Sequence, residues 1–305
     1  MKPAFAHWAV RLPVAICIIA LSFAVAYTVV ATVAFTAIFD FIAGNSNIDS
    51  KTADFVYMAI FSICLLVGQY FMNAARAGKV AMTFGFAPTP FALRHFAQGI
   101  AFALASVGIL FGLYVLAGAE VTLAENELPI ISTLLIFFAA LMEELVFRGL
   151  LFEPFSERFG EAKTTVGISL LFAVAHIPNP NASVMGIANV ALAGIMLSVM
   201  RIASRTLWMP LGFHFGWNWS LGIGLGMSVS GQDFSPIFHT RLAAAPSVWL
   251  GGAFGVEESL ITTILLLVAT AAVMLYTKSD PFVAAAEFRR RYAEDGLLQR
   301  QREVN

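Results

Sequence analysis

The stretch "LPIISTLLIFFAALMEELVFRG", residues 128–149, decides how this chain folds. Its first fourteen residues carry no charge, and with the residues that follow they are long enough to form a membrane-spanning helix. Glu143, Glu144 and Arg148 then appear within six positions, although an ionisable residue inside a span costs about 2.5–3.5 kcal/mol. Charged groups at this depth need partners or a function, so the stretch predicts both a membrane span and a site.

The composition of the whole chain points the same way. Of the 305 residues, 59% are hydrophobic and only 12% are charged, and the mean hydropathy of +0.81 is far above that of soluble domains. These values predict an all-α polytopic membrane protein with about eight transmembrane helices. Apolar stretches that are long enough to span, or nearly so, lie at about 12–43, 54–73, 91–118, 128–152, 164–177, 183–200, 207–229 and 258–277.

The distribution of basic residues predicts the orientation of these spans. With the N-terminus in the cytoplasm, all of the 18 Lys and Arg residues except Lys51 and Arg241 fall in cytoplasmic segments, while the outer loop 119–127 is purely acidic. We therefore expect an integral membrane protein with both termini in the cytoplasm. The expected location is a bacterial cytoplasmic (inner) membrane. One membrane-embedded domain would cover residues 1–279, with a charged cytoplasmic tail at 280–305. Membrane lipids are expected partners, and nucleic acid is not.

Helical geometry separates the roles of the three charged residues. Glu144 and Arg148 are four positions apart on one helix face and can pair, whereas Glu143 points about 100° away. Glu143 is then free for chemistry. A buried ion-pair network that holds helices together, or a proton or ion relay of a transporter, is an alternative explanation of the same cluster.

A predicted helical hairpin brings a histidine to the height of Glu143. Glu143 lies 17 residues before Gly160, where the chain is expected to turn, and His176 lies 16 residues after it. At about 1.5 Å per residue, both stand roughly 24–26 Å from the turn on neighbouring helices. Pro178 should end the second helix directly after His176.

The segment "WMPLGFHFGWNW", residues 208–219, supplies further polar groups. His214 and Asn218 are four positions apart, so on a helix they project from one face and can donate N–H groups to one point. Gly212 and Gly216 form a small-residue stripe that allows close approach of another helix. The alternative role of these polar residues is an interhelical hydrogen bond.

A second acidic pair, Glu257 and Glu258, serves as a comparison. No basic residue follows it at the spacing that Arg148 has from Glu144. The pair lies at the start of the last apolar stretch, where acids favour a helix N-terminus, and it is given no catalytic role. Asn189, inside a predicted span, is interpreted as an interhelical hydrogen-bonding residue.

Together these groups suit hydrolysis of a peptide bond by an activated water. Glu143 would act as the base, His176 would help to hold the water, and His214 and Asn218 would stabilise the negative oxygen of the tetrahedral intermediate. A divalent metal such as zinc is the competing explanation for two His and a Glu. The usual H-E-x-x-H signature is absent, but ligands from separate helices could still bind a metal, which leaves the ligand set open.

The residues resemble the CAAX protease and bacteriocin-processing (Abi) family of intramembrane endopeptidases, also called type II CAAX prenyl endopeptidases. The pattern of this family is E-E-x-x-x-R, then F-x-x-x-H, then H-x-x-x-N or D. The chain has "EELVFR" at 143–148, "FAVAH" at 172–176 and "HFGWN" at 214–218, complete and in order. The resemblance covers about residues 128–220, the motif core of the predicted membrane domain.

The resemblance implies an eight-helix intramembrane protease. In that family the first Glu of the pair and the motif-two His activate water, and the motif-three His and Asn form the oxyanion site. This implies that Glu143, His176, His214 and Asn218 are catalytic and that Glu144 and Arg148 support them. It also implies a peptide or lipidated protein as substrate, and it does not decide whether a metal takes part.

Two other classes of function are compatible with the sequence. A non-catalytic membrane scaffold or bacteriocin-immunity protein could keep the same fold and bind a partner through its helices. A proton-coupled transporter could use Glu143 and His176 as a relay, although transporters of that kind commonly show repeat symmetry, which is not evident here. The intact motif set makes an intramembrane endopeptidase the leading interpretation.

Overall fold

A computed structural model describes residues 13–14, 16–19, 50–74, 91–125, 128–242 and 248–279. The described chain is mostly helical and includes a short antiparallel sheet of two strands, in which Val121 lies opposite Thr240. Two π-helical segments, Leu145–Leu151 and Trp219–Gly224, and the 3₁₀ turn Val256–Glu258 interrupt or extend the helices. The regular elements are α1 (Ser50–Ala74), α2 (Ala92–Leu116), β1 (Ala119–Leu123), α3 (Ile130–Glu144), α4 (Phe152–Phe159), α5 (Glu161–Ala175), α6 (Val184–Ser204), α7 (Trp208–Asn218), β2 (Phe238–Leu242) and α8 (Leu260–Ser279).

The helices coincide with the predicted apolar stretches. Each stretch from 54–73 onward falls on a helix, and the stretch 207–229 falls on α7 with its π-helical extension. The first stretch, 12–43, lies largely outside the described residues, although its residues 13–14 and 16–19 are helical. The predicted tail at 280–305 also lies outside the described part of the chain.

Three helices are long and apolar enough to cross a membrane alone, namely Ala92–Leu116, Ile130–Phe159 and Val184–Ser204. Shorter apolar helices accompany them at Asp54–Val67 and Leu260–Tyr276. The prediction of a polytopic, helical membrane protein is therefore confirmed, whereas the number of eight spans stays a prediction.

The outward faces of the helices are apolar. Large aliphatic side chains are about half exposed there, as in a protein whose surrounding solvent is lipid. This exposure accounts for the high hydropathy of the chain, because both the core and much of the surface are apolar. Examples are Leu104, Leu170, Val174, Leu267 and Val268.

Local sequence explains where the helices turn. Gly160 has φ +80° and joins α4 to α5, which confirms the predicted reversal at this residue. Ser183 begins α6 as its N-cap, and its hydroxyl accepts a hydrogen bond from the Gly186 N–H at 3.0 Å. α5 ends at Ala175, three residues before Pro178, as predicted.

Helices α2 and α7 pack directly against each other through glycine. A Cβ atom on Gly212 of α7 would clash with the backbone oxygen of Phe96, and one on Gly99 of α2 would clash with the backbone oxygen of Met209. The predicted role of the small-residue stripe is thus confirmed. Because α7 carries His214 and Asn218, this contact sets the position of the candidate site.

We expect Gly212→Ala to destabilise the protein by about 3 kcal/mol, because the two helix backbones must separate to admit the methyl group. Thermal unfolding of the purified protein in detergent measures the loss. Gly108→Ala in α2 is the matched control, since within the described part of the chain no atom outside the adjoining backbone of α2 lies within 4 Å of the added Cβ. Equal melting temperatures for the two variants would contradict the prediction.

Two apolar clusters meet at α7. One joins α2, α6, α7 and α8, and the other joins α1, α3, the first π-helix and α7. α7 is therefore enclosed on several sides, which fixes the polar side chains that it carries. Fully or nearly buried members of these clusters include Leu110, Met196, Met200, Phe213, Leu221, Leu65, Leu145, Leu150 and Leu211.

Candidate active site

The predicted ion pair between Glu144 and Arg148 is present and fully buried. Arg148 Nη1 lies 3.1 Å from Glu144 Oε1, and neither side chain has any exposed surface. The guanidinium also donates from Nη2 to the carbonyl oxygen of Gly194 at 3.2 Å and lies 4.3 Å from the ring centre of Phe172. The pair thus ties α3 to α5 and α6.

Glu143 points in a different direction from its neighbour. Its side chain is 22% exposed, and its Oε2 lies 3.9 Å from His176 Nε2 and 3.6 Å from His214 Nε2. No described residue donates a hydrogen bond to this oxygen. The carboxylate therefore faces two imidazoles without a hydrogen bond to either. The helical-face argument predicted that Glu143 would point away from the pair of Glu144 with Arg148.

His176 lies directly after the last residue of α5, at the height predicted for it. Its Nδ1 lies 2.8 Å from the carbonyl oxygen of Phe172, and a carbonyl can only accept. Nδ1 must therefore carry the proton in this hydrogen bond. In the neutral ring, Nε2 then presents a lone pair towards Glu143.

His214 lies between the two glutamates. Its Nδ1 is 3.0 Å from Glu144 Oε1, while its Nε2 is 3.6 Å from Glu143 Oε2. The sequence predicted Glu144 as a partner of Arg148 alone, and the structure adds His214 as its second partner. The same buried carboxylate thus orients both a cation and an imidazole.

A cavity of about 150 Å³ joins these groups. Glu143, His176, His214 and Asn218 all line it, so the four residues predicted on three separate segments meet at one place. Its volume is roughly that of a cavity that holds one benzene-sized group. The other walls include the apolar side chains of Val190, Ala193, Leu197, Phe213, Val229 and Leu266.

The segment that contains these groups matches a known family. Residues 125–220 match the sequence model described as type II CAAX prenyl endopeptidase, Rce1-like. This segment is an Rce1-like CAAX prenyl endopeptidase domain. Membership of this segment in the family implies an intramembrane endopeptidase. No curated protein and no solved structure matches the chain.

One acidic residue at the cavity, Glu257, was given no catalytic role on sequence grounds. The structure shows that Glu257 lines the same cavity as Glu143. The position lies outside the segment that matches the family and far from Glu143 along the chain. No local pattern distinguishes Glu257 from Glu258, so only the path of the chain after α7 reveals the difference.

The interpretation of Asn189 as an interhelical residue is confirmed. Its amide nitrogen donates to the backbone oxygens of Glu257 and Ser259, at 2.8 and 2.9 Å. Its amide oxygen accepts from the hydroxyl of Thr263 at 2.7 Å. These bonds tie α6 to the beginning of α8.

A metal site was the competing interpretation of the His and Glu residues. In the part of the chain that the structure describes, no group of three or more His, Cys, Asp or Glu side chains is arranged to hold a metal ion. The residues therefore do not fit a metal as a ready-made ligand set.

Proposed function

We propose that the protein hydrolyses a peptide bond in a membrane-associated or lipidated peptide or protein, with Glu143 as the base that activates water. The observation that supports this most strongly is the convergence of Glu143 Oε2 with Nε2 of His176 and His214, at 3.9 and 3.6 Å, in one cavity. Family membership supplies the reaction class, peptide-bond cleavage in the membrane.

The gap between Glu143 and His176 suits a bridging water. The two atoms are 3.9 Å apart, which is too long for a direct hydrogen bond but allows a water to contact both. Since Glu143 and the unprotonated Nε2 both accept, the water would donate one hydrogen to each. Its lone pairs would then point away from both groups, towards a substrate carbonyl.

The reaction then proceeds in two steps. The water oxygen attacks the carbonyl carbon while Glu143 takes a proton, and the carbonyl π electrons move to the oxygen to form the oxyanion. Collapse of this intermediate breaks the C–N bond, and the leaving nitrogen takes the proton from Glu143. The products are a carboxylic acid and an amine.

His214 and Asn218 are assigned to the oxyanion. A doubly protonated His214 would donate from Nδ1 to Glu144 and present Nε2–H to the cavity. The negative charge of Glu144 would then stabilise the positive charge of the His214 ring. Arg148 would pair with the same carboxylate. Asn218, one helical turn after His214, adds an amide N–H₂ at the same cavity.

We expect Asn218→Ala to lower kcat by about 10²–10³-fold with little change in KM, because an oxyanion donor acts mainly in the transition state. Steady-state kinetics on a cleaved peptide measures both constants. Asn181→Gly is a matched control, because this asparagine is exposed, lies outside the cavity and has a positive φ that glycine tolerates. A rise in KM alone would contradict the oxyanion assignment.

The charges at the two ends of the helices support the proposed orientation. Basic residues surround the end where α5, α7 and α2 begin, and acidic residues predominate at the opposite end. α5 reaches His176 only at its far end, so the candidate site lies nearer the acidic, outer end. The basic group is Arg94, Arg158, Lys163, Arg201 and Arg205, and the acidic group is Glu120, Glu125, Asp233, Glu257 and Glu258.

Labelling of single cysteines tests this orientation. In a Cys17→Ser, Cys64→Ser background, we expect Thr122→Cys to react with a membrane-impermeant maleimide on intact cells. Lys163→Cys should react only after the membrane is permeabilised, because the positive-inside rule places it in the cytoplasm. The reverse pattern would overturn the orientation.

Terminal proteomics tests the proposed activity. Membranes from cells that express the wild type or Glu143→Gln at equal levels are compared for new peptide termini. Termini that appear only with the wild type would establish the protease and identify its substrate. Their absence across a broad set of growth conditions would favour a non-catalytic scaffold or immunity protein of the same fold.

A further inference from the structure

A second carboxylate, that of Glu257, is built into the wall of the catalytic cavity. It belongs to the 3₁₀ turn Val256–Glu258, which precedes α8. Its Oε1 accepts from the indole N–H of Trp217 at 3.0 Å. Its Oε2 accepts from the hydroxyl of Ser230 at 2.8 Å and from the backbone N–H of the same residue. The indole and the backbone amide can only donate, so both oxygens act as acceptors and the group is stabilised as an anion.

The turn that Glu257 holds is strained and tightly packed. Ser230 has φ +47°, a left-handed conformation that residues other than glycine rarely adopt. Asn179 donates to its carbonyl oxygen at 3.1 Å from the other side of the turn. Gly231 follows with φ +79°, and a Cβ there would clash with the backbone oxygen of Pro180. Strain of this kind persists only where neighbouring contacts hold it, and it is concentrated at ligand sites.

The backbone that carries Glu257 is also fixed. Its carbonyl oxygen accepts from Asn189 of α6, whose own orientation is set by Ser259 and Thr263. Asn189, Asn179, Ser230 and Glu257 all line the cavity. The negative charge of Glu257 therefore cannot move away easily when a substrate occupies the cavity.

We propose that Glu257 is a specificity-determining residue, which excludes acidic side chains from the position next to the scissile bond. The inference rests on the proposed function of Glu143. A substrate side chain in this cavity lies between two carboxylates, and an acidic one would meet like charge in a poorly solvated space. Neutral side chains avoid this repulsion, so Glu257 selects by rejecting the wrong substrate.

The neighbouring residue provides a matched control. Glu258 is the same residue type, and its Oε1 accepts from the backbone N–H of Phe254 at 2.9 Å. It does not line the cavity. Glu258→Gln therefore makes the same chemical change one position away, without removing charge from the cavity wall.

Profiling of cleavage sites tests the inference and does not require an identified substrate. A proteome-derived peptide library is incubated in detergent with the purified wild type, with Glu257→Gln or with Glu258→Gln. Glu143→Gln, which is expected to be inactive, is the negative control. We expect Asp and Glu to be rare beside the bonds cut by the wild type and by Glu258→Gln. With Glu257→Gln, their frequency should rise about tenfold at one position next to the bond.

A second measurement needs no variant at position 257. Two synthetic peptides that differ only in Asn or Asp beside a bond cut by the wild type are compared, and the Asn peptide should have a kcat/KM about tenfold higher. Equal kcat/KM values for the two peptides would overturn the inference about Glu257 and leave the proposed function intact. An unchanged frequency of Asp and Glu beside the bonds cut by Glu257→Gln would have the same consequence. If the wild type cleaved no peptide in either assay, the proposed function would be wrong, and the inference about Glu257 would fail with it.

Discussion

Glu143→Gln is expected to reduce peptide cleavage by at least about 10³-fold in kcat, the largest catalytic effect of any substitution proposed for this protein. Glutamine keeps the size of the side chain but cannot take a proton from water, and general-base catalysis contributes about 10²–10⁴-fold. Glu143 is the carboxylate that faces both His176 Nε2 and His214 Nε2. Single-turnover kinetics on a peptide identified by terminal proteomics measures the loss.

The fold should tolerate this substitution. No described residue donates a hydrogen bond to Glu143 Oε2, so the amide replaces no strong contact of that atom. Glu161→Gln is the matched control, because Glu161 is 43% exposed and forms a surface ion pair with Arg205. Its cleavage rate should equal that of the wild type. A Glu143→Gln protein that melts normally and still cleaves at more than a tenth of the wild-type rate would refute the assigned base.

Arg148→Met is expected to cause the largest loss of stability, about 3–5 kcal/mol, because it leaves Glu144 as a buried charge without its cation. It also removes the donor to the Gly194 carbonyl and the contact with the Phe172 ring. The melting temperature in detergent should fall by about 10 °C. Fluorescence-detected size exclusion at increasing temperature measures this change.

A double variant distinguishes two causes of the lost stability, namely the loss of packing around Arg148 and the buried charge of Glu144 that is left without a counter-charge. Arg148→Met with Glu144→Gln removes both members of the pair, so it should recover part of the stability that Arg148→Met loses. Arg205→Met is the control, since Arg205 is 39% exposed and its ion pair with Glu161 should contribute less than about 1 kcal/mol. If Arg148→Met were no more harmful than Arg205→Met, the buried pair would not be a structural requirement.

The helix that carries Glu144 and Arg148 changes from α- to π-helical geometry between these two residues. Glu144 ends α3, and Arg148 and Gly149 follow within the π-helical turn Leu145–Leu151. Such turns widen a helix locally and are frequent at functional sites. The second π-helix, Trp219–Gly224, directly follows Asn218. Two of the three segments that carry the candidate catalytic groups therefore depart from regular α-helix immediately after those groups.

Much of the fold and part of the site could be predicted from sequence, because they depend on short-range geometry. Apolar length predicts helices, and Gly160 and Pro178 predict where two of them end. Four-residue spacing predicts the pair of Glu144 with Arg148. Nearly equal distances from Gly160 predict that Glu143 and His176 stand at about the same height. Each of these follows from the rise and periodicity of a helix.

The tertiary structure alone decided the contacts that join distant segments. It placed His214 between Glu143 and Glu144, made Gly99 the partner of Gly212 across α2 and α7, and brought Glu257 to the cavity. No helical repeat relates these positions, because each contact depends on how the packed helices cross and on the path of a loop. The sequence by itself thus determined that the chain is a helical membrane protein with a carboxylate–imidazole site. Side-chain packing decided which groups share a partner and which acid of the pair Glu257 and Glu258 lines the cavity.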